Sequence, residues 1–175
     1  MQTSRTILLM VSLLFAVPVA AQDTGAGKVE PLPRELEIEL ALSALPPHLK
    51  NSATVYSLNL AKGFEVARKG TNGFHAFVAR TAPDSMRGTW AFTHYRDDIL
   101  YPIAFDAAGA KAHMRVDFDI AEMQAKGTPP QEAKRIVQER YKTGVYKAPE
   151  RAGISYMLAL ILRNYVDPHK DDRVE

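Results

Sequence analysis

The chain has 175 residues, of which 22 are Lys or Arg, 20 are Asp or Glu and none is Cys. The absence of Cys excludes disulfides, thiol nucleophiles and metal sites with Cys ligands. The nearly balanced charge gives no electrostatic reason to expect a nucleic acid or an anionic membrane as a partner.

Residues 1–21 have the three parts of a secretory signal peptide. Arg5 precedes an apolar run at 7–17, and Val19 and Ala21 supply the small side chains of a cleavage site. The run is too short to span a bilayer, which needs about 20 residues, and an uncleaved anchor is the alternative. Cleavage before Gln22 would leave 154 of the 175 residues. We therefore expect an exported protein, periplasmic or secreted, with no integral membrane segment in its mature chain.

A leader separates the expected cleavage site from the first predicted helix. Residues 22–33 are rich in Gly, Pro and small side chains, which is typical of a flexible segment. Helical spacing then begins, because Leu36, Leu40 and Ala44 are four residues apart and Pro46 follows them. We expect residues 34–166 to form a single domain that opens with a helix at 34–44, and residues 167–175 to form a charged tail.

Three short runs after this helix predict β-strands. Residues 54–60, 64–68 and 74–80 are rich in β-branched and aromatic side chains, and turn-forming residues separate them at 61–63 and 70–73. The pair Asn72-Gly73 suits a turn with positive φ. Consecutive strands joined by short turns predict an antiparallel meander.

Residues 106–126 have two conflicting patterns. Small and apolar residues fall on one helical stripe, and Arg115–Asp119 and Glu122–Lys126 would be ion pairs four residues apart. The segment 112–120 also alternates strictly between apolar and polar residues, which is a strand pattern. We expect a helix because strong helix formers flank the segment, with a strand as the alternative. The helix would have a second apolar side, and it would be covered from two directions. That side consists of Val116, Ile120 and Met123.

A helix and a strand complete the predicted elements. The spacing from Pro129 to Lys142 predicts a helix, with Thr128 as its N-cap, Gln131 completing a capping box and Gly144 after its C-terminus. Residues 154–161 are apolar throughout and predict a buried central strand. The fold class that follows is α+β, with a small antiparallel sheet, a meander, packed by two to three helices.

Two groups of side chains are candidates for a metal ion or a proton relay. His94 lies close to Asp97 and Asp98, a combination that suits a hard cation or a general base. A solvated turn is the alternative. His113 and Asp117 would share one helix face, a spacing that can support one metal or one proton relay. An exposed His beside a carboxylate is the alternative there.

Four residues are candidates for contact with a ligand: Asn72, His75, Trp90 and His94. Asn72 lies in the tight turn at 70–74, whose exposed backbone could receive a ligand, and a plain hairpin connection is the alternative. Trp90 and the aromatic residues near it could line a pocket, or they could pack in the core.

Three segments carry a resemblance to a known group of proteins: residues 41–49 (ALSALPPHL), 70–74 (GTNGF) and 153–158 (GISYML). From about residue 35 to residue 158 the chain resembles a group of uncharacterised secreted bacterial proteins. The resemblance implies bacterial export and a domain of unknown function, and it supplies no catalytic residues. In that group a Cys often follows the Gly-Thr-Asn-Gly turn closely. This chain has His75-Ala76-Phe77 there, so any role of that thiol is absent.

The motifs do not form a coherent catalytic set. Gly153-Ile154-Ser155 begins like a nucleophile elbow but lacks the second Gly that such a strained turn needs. We therefore expect a non-enzymatic accessory protein of the envelope or the secreted fraction that binds a small molecule, a glycan or a protein partner, without a cofactor. A secreted metal-dependent or acid/base hydrolase is the alternative.

Overall fold

The computed structural model describes residues 29–80, 95 and 99–163. Within these ranges a mixed, mostly antiparallel and open sheet of five strands is packed by four helices, which confirms the α+β class. The strands are β1 (Thr54–Asn59), β2 (Gly63–Arg68), β3 (His75–Ala79), β4 (Tyr101–Phe105) and β5 (Ser155–Tyr156). The helices are α1 (Arg34–Ser43), α2 (Pro47–Lys50), α3 (Ala107–Gly109, a π-helical turn at Ala110–Met114, and Arg115–Ala125) and α4 (Pro130–Lys142).

Successive side chains of a strand point to opposite faces of the sheet, and in this protein both faces are buried. On β3, Ala76 and Val78 pack on the side of α1, whereas Phe77 and Ala79 pack on the side of α3. The sheet is therefore the middle of three layers, and β3 is its most buried strand.

Helix α3 is buried on two sides, as the sequence predicts. One side, with Met114 and Phe118, packs against the sheet. The other packs against α4, and its buried contacts are Val116, Ile120, Met123, Ala133 and Val137. The helix prediction over 112–120 is thus confirmed and the strand alternative is wrong. Both predicted surface ion pairs also occur, with N–O distances of 3.9 and 3.6 Å.

The strand order differs from a meander. It is β2-β1-β3-β4-β5, and β3 pairs with β1 in parallel where a meander would pair it with β2. The turn after β2 crosses the start of β1: Thr71 and Asn72 both donate their N–H to the Ser52 carbonyl, at 2.7 and 3.1 Å. A Cβ on Gly70 would lie 2.2 Å from the Ala53 backbone, so glycine is required for this crossing. These contacts bring β3 to the far side of β1.

The helix predicted at 129–142 is confirmed, but the prediction of Thr128 as its N-cap is wrong. Pro129 is the N-cap, the helix starts at Pro130, and no side chain caps it. The Thr128 N–H instead bonds to the Met123 carbonyl and closes the end of α3 after Gly127, which has a φ of 71°. Gly144 has a φ of 72° after the last turn of α4, as predicted.

The prediction of a buried central strand at 154–161 is wrong. Only Ser155 and Tyr156 form a strand, β5, and it pairs with β4 as the last strand in the order. Ile154 and Leu158 are 51% and 56% exposed. An isolated bridge then joins Leu100 to Arg163. Its register is shifted by three residues from the register in which β4 and β5 pair. The segment therefore leaves the sheet between these two contacts, opposite Pro102, which has no N–H to donate.

The last part of the predicted leader, residues 22–33, is in contact with the domain. Val29 is buried and packs in the cluster between α3 and α4. The signal peptide predicted at 1–21 and the charged tail predicted at 167–175 lie outside the described residues. Within the ranges above, none of the helices has the length and apolar composition needed to cross a bilayer.

A buried carboxylate lies at the point where β1 and β3 separate. The parallel ladder between these strands has two residue pairs. Beyond the second pair, β1 continues for four residues and β3 for three. Glu37 of α1 is 2% exposed, and its Oε1 accepts the Leu58 N–H at 3.0 Å. The carboxylate therefore satisfies a donor of β1 that a continued ladder would have paired with β3.

Arg80, directly after β3, shares this buried region and is 6% exposed. Its Nε donates to the Ile99 carbonyl and its Nη1 to the Glu30 carbonyl, both at 3.2 Å. Burial raises the pKa of Glu37 above 4.5, although the Leu58 N–H and the Arg80 guanidinium oppose the shift. Two buried polar side chains thus connect α1, β1, the end of β3 and the residues before α1.

We predict that Glu37→Ala destabilises the protein by about 2–4 kcal/mol. The substitution leaves the Leu58 N–H unpaired and removes a carboxylate from the surroundings of buried Arg80, and each loss is costly. The free energy of unfolding in urea measures the effect. Glu39→Ala, an exposed carboxylate on the same helix, is the matched control and should change stability by less than about 0.5 kcal/mol.

Glu37→Gln keeps an acceptor and adds a test of the charge. Because the pKa of Glu37 is higher in the folded than in the unfolded chain, wild-type stability is greatest relative to this variant at low pH and falls as pH rises through the folded-state pKa. Urea unfolding of both proteins at about pH 4 and about pH 8 measures this difference. An unchanged difference would show that Glu37 is not desolvated.

Candidate functional site

The structure separates the two described residues predicted to contact a ligand. Asn72 donates its side-chain N–H to the Leu49 carbonyl at 2.8 Å and accepts the Phe74 N–H at 3.0 Å. His75 lies on β3, where its Nδ1 is 3.1 Å from the Tyr56 hydroxyl. Asn72 therefore holds the crossing turn in place. Trp90, His94, Asp97 and Asp98 lie outside the described residues, so the predicted metal cluster stays a prediction.

The pair formed by His75 and Tyr56 is half-buried beneath α3. Their rings stack with centroids 6.0 Å apart, and the Tyr56 ring meets the edge of Phe118 at 5.0 Å. Burial lowers the pKa of His75 and raises that of Tyr56, so it favours the neutral form of both side chains. The contacts are those of a packed aromatic cluster.

A cleft of about 300 Å³ opens between the sheet and α3. Alternation along β4 places Tyr101, Ile103 and Phe105 in its floor, and α3 and the strand at β5 form its walls. The described lining residues are Ala79, Tyr101, Ile103, Phe105, Gly109, His113, Val116, Asp117, Tyr141, Gly153, Ile154, Ser155 and Met157. The cleft is therefore mainly apolar and aromatic, with a few polar groups.

Asp117 and His113 are the ionisable groups of α3 that face this cleft, which confirms that they share a helix face. The imidazole of His113 stacks on Phe105, with centroids 5.7 Å apart and planes 20° from parallel. Burial raises the pKa of Tyr101, and the nearby Asp117 charge raises it further. The Tyr101 hydroxyl is 2.8 Å from the Met157 sulfur. The cleft thus contains a negative charge beside aromatic surface.

A contact between two glycines sets the width of the cleft at one end. A Cβ on Gly153 would lie 2.5 Å from the Gly109 nitrogen and 2.7 Å from its Cα. The backbone before β5 therefore lies directly on the first turn of α3, where the Asp106 N–H bonds to the Ile154 carbonyl at 3.0 Å. The π-helical turn begins at the next residue, Ala110, and such turns are frequent at functional sites.

Ser155, His113 and Asp117 line the same cleft. Their residue types are those of a nucleophile, a base and an orienting acid. Within the described part of the chain, however, no hydrogen bond joins Ser155 to His113 or His113 to Asp117. The same ranges contain no group of three or more His, Asp or Glu side chains that could hold a metal ion.

Sequence reasoning predicted two residues of this cleft but not the cleft itself. The signals that could have found it are the Tyr101-x-Ile103-x-Phe105 alternation and Gly153, since both mark a surface that another element approaches closely. The close approach of the segment before β5 depends on tertiary contacts, so the sequence did not predict which side chains converge.

Comparison with known proteins places no further constraint on this site. No family model matches the chain, and neither the curated proteins nor the solved structures contain a match to it. The resemblance to secreted bacterial proteins therefore stays a prediction.

We predict that Gly153→Ala moves β5 away from α3 and lowers stability by about 1–3 kcal/mol, because its methyl group would collide with the Gly109 backbone. Hydrogen exchange should speed up at the Asp106 amide, whose acceptor is the neighbouring Ile154 carbonyl. Gly73→Ala is the control, since Gly73 has a φ of 75° but open space around it. It should be destabilised without loss of protection at Asp106; equal exchange in both variants would contradict the collision.

Proposed function

We propose that the protein is an exported, non-enzymatic accessory protein that binds a small organic molecule in the cleft between β4 and α3. The supporting observation is the cleft itself, with Tyr101, Phe105 and Asp117 in one lining. A volume of about 300 Å³ is at the lower end of small-ligand sites, which are mostly apolar with a few orienting polar groups. Export rests on the sequence of residues 1–21.

The ligand that fits this lining has a flat apolar part and a hydrogen-bond donor or a positive charge. The ring of Phe105, with His113 stacked on it, offers aromatic surface to an apolar group. Asp117 offers a carboxylate acceptor, and a carboxylate accepts several hydrogen bonds at once, so it can bind a ligand alongside its contacts within the chain. A cationic or neutral ligand is therefore favoured over an anionic one.

A glycan or a protein partner fits the cleft less well than a small molecule. The cleft has a volume of about 300 Å³, which suits a small molecule, whereas a protein interface of stable size buries about 800 Å² on each partner. One sugar ring could stack on Phe105, but the single carboxylate offers few of the polar contacts that its hydroxyl groups require.

We predict that the cleft binds phenethylamine more tightly than phenethyl alcohol, and the alcohol more tightly than 3-phenylpropionate. The three ligands share a ring and differ in charge, so the order measures the contribution of Asp117. Amide NMR titration should place the perturbed residues at 101–105 and 113–117. Asp117→Asn should weaken binding of the amine about fivefold or more and bring it close to that of the alcohol.

Two variants control this experiment. Glu122→Gln removes an exposed carboxylate of the same helix that pairs with Lys126, and it should leave the order of the ligands unchanged. Ser155→Phe places a large side chain at the mouth of the cleft and should abolish binding of all three ligands. Binding that survives Ser155→Phe, or that perturbs other segments, would refute the cleft as the binding site.

Hydrolysis is a second candidate function, and one observation favours it: Ser155, His113 and Asp117 line the same cleft. If a bound substrate closes the missing hydrogen bonds, the purified protein should hydrolyse p-nitrophenyl acetate. The rate should fall at least about a hundredfold in both Ser155→Ala and His113→Ala. His48→Ala, at an exposed histidine on α2, is the control. Equal rates in all proteins would leave binding as the function of the cleft.

A further inference from the structure

A second and larger cavity lies on the other side of the first turns of α3. Its volume is about 590 Å³, and it opens between α3 and the segment that follows α4. Its described lining residues are Ala107, Ala108, Lys111, Ala112, Arg115, Val145, Tyr146, Lys147, Ala148, Pro149, Glu150 and Arg151. We call it the basic cavity, because four of these side chains are cationic and one is a carboxylate.

The cations of the basic cavity are poorly neutralised by the protein. Lys111 is 3.6 Å from Glu150, but both side chains are more than three-quarters exposed, and such a pair is weak. Among the described residues, no hydrogen bond or ion pair within 4 Å holds Lys147 or Arg151. The lining therefore has a net charge of +3 in a chain whose charges are otherwise almost balanced.

Arg115 adds a guanidinium whose carboxylate partner has stronger bonds elsewhere. Its Nε is 3.9 Å from the Asp119 carboxylate. The same Asp119 oxygen accepts a hydrogen bond from Arg140 and another from the Tyr146 hydroxyl at 2.9 Å. Because those bonds are shorter, the N–H groups of Arg115 remain available to an anion. A guanidinium binds phosphate oxygens with two parallel hydrogen bonds.

The remainder of the lining is apolar. Val145, Tyr146, Pro149 and four alanines contribute it. The volume exceeds that of an inorganic anion and lies within the range of small-molecule sites. The cavity therefore matches a ligand with a carbon skeleton as well as a negative charge.

The cationic side chains are the part of this cavity that attracts an anion, and the helix terminus adds little. The Asp106 carboxylate already accepts the Gly109 N–H at 2.8 Å. Hydrogen bonds at this turn lower the pKa of Asp106, and the charge of Arg151 lowers it further, so this carboxylate offsets part of the Arg151 charge. A ligand anion would thus be bound by the lysines and arginines along α3 and after α4.

We infer that the basic cavity is a binding site for an organic phosphate, with the phosphate held by Lys147, Arg151 and Arg115 and the carbon skeleton packed on Tyr146 and Pro149. The inference is independent of the proposed function, because that cleft lies on the other side of α3 and selects against anions. Residues two apart on a helix point in roughly opposite directions. His113 accordingly lines the cleft, whereas Lys111 lines the basic cavity.

The test is amide NMR titration of the purified protein with phenyl phosphate, inorganic phosphate and phenol. Phenyl phosphate should perturb residues 107–115 and 145–151 and bind more tightly than inorganic phosphate, since the ring adds apolar contact. Phenol, which lacks the charge, should not perturb these segments. Equal affinity of the two phosphates would overturn the assignment of an organic ligand, and perturbations outside these segments would overturn the site.

The double variant Lys147→Ala/Arg151→Ala should weaken phenyl phosphate binding about tenfold or more, because it removes two charge-assisted contacts. Lys62→Ala/Lys69→Ala is the matched control, with the same loss of charge at exposed positions near β2. It should bind like the wild type. An equal loss in both double variants would reduce the effect to net charge and refute the site.

A phosphate could come from a soluble molecule or from a lipid headgroup, and sedimentation with vesicles separates these sources. Binding to mixed vesicles of phosphatidylglycerol and phosphatidylcholine that is lost in Lys147→Ala/Arg151→Ala identifies a headgroup ligand. Binding of phenyl phosphate without vesicle binding identifies a soluble ligand. Vesicle binding that the double variant keeps would show that lipid binds elsewhere on the protein and would refute a headgroup as the ligand of this cavity.

Discussion

The Glu37 carboxylate, buried between α1 and the sheet, is the constraint on which the arrangement of the strands depends. It accepts the Leu58 N–H at 3.0 Å at the point where the ladder between β1 and β3 has ended. An unpaired N–H in the interior is costly, so β1 can separate from β3 only where another acceptor replaces the lost carbonyl. Arg80 limits the cost of burying that carboxylate, and it also binds the backbone of the residues before α1. The separation gives α3 a surface to pack on, and Leu58 of β1 contacts the cluster between α3 and α4.

Helix α3 connects the core to both candidate sites. Its apolar sides are buried against the sheet and against α4, so its remaining surface is divided between two openings. His113 and Asp117 line the cleft beside β4, while Lys111 and Arg115 line the basic cavity. The segment before β5 contributes to both, because Gly153 lets its backbone lie on Gly109.

Local patterns predicted most of the elements, and tertiary contacts account for the differences. The spacing of apolar residues predicted α1, α3 and α4. In α1, however, the buried residues are Glu37 and Ala41, whereas Leu36 of the predicted stripe is 43% exposed. The prediction of a capping box at Thr128 was wrong, because the Thr128 N–H bonds to the Met123 carbonyl at the end of α3. The meander was wrong because Gly70 and Asn72 attach their turn to the residues before β1. Residues 154–161 resembled a central strand in composition, yet most of them are exposed beyond the end of β5.

For the candidate site, the sequence identified His113 and Asp117 as neighbours on a helix face because four residues make about one turn. Composition also established, without any structure, that the chain has no thiol chemistry and no large excess of charge. It gave no indication that Lys147 and Arg151 would face Lys111 and Arg115 across one cavity, since these pairs are distant in the chain. Periodicity and turn chemistry act between near neighbours, so the sequence by itself determined α1, α3, α4, the strands β1 to β3 and the excluded chemistry, but not α2 or β4. Strand order, the separation of β1 from β3 and the convergence of side chains depend on contacts between distant residues, so only the tertiary structure decided them.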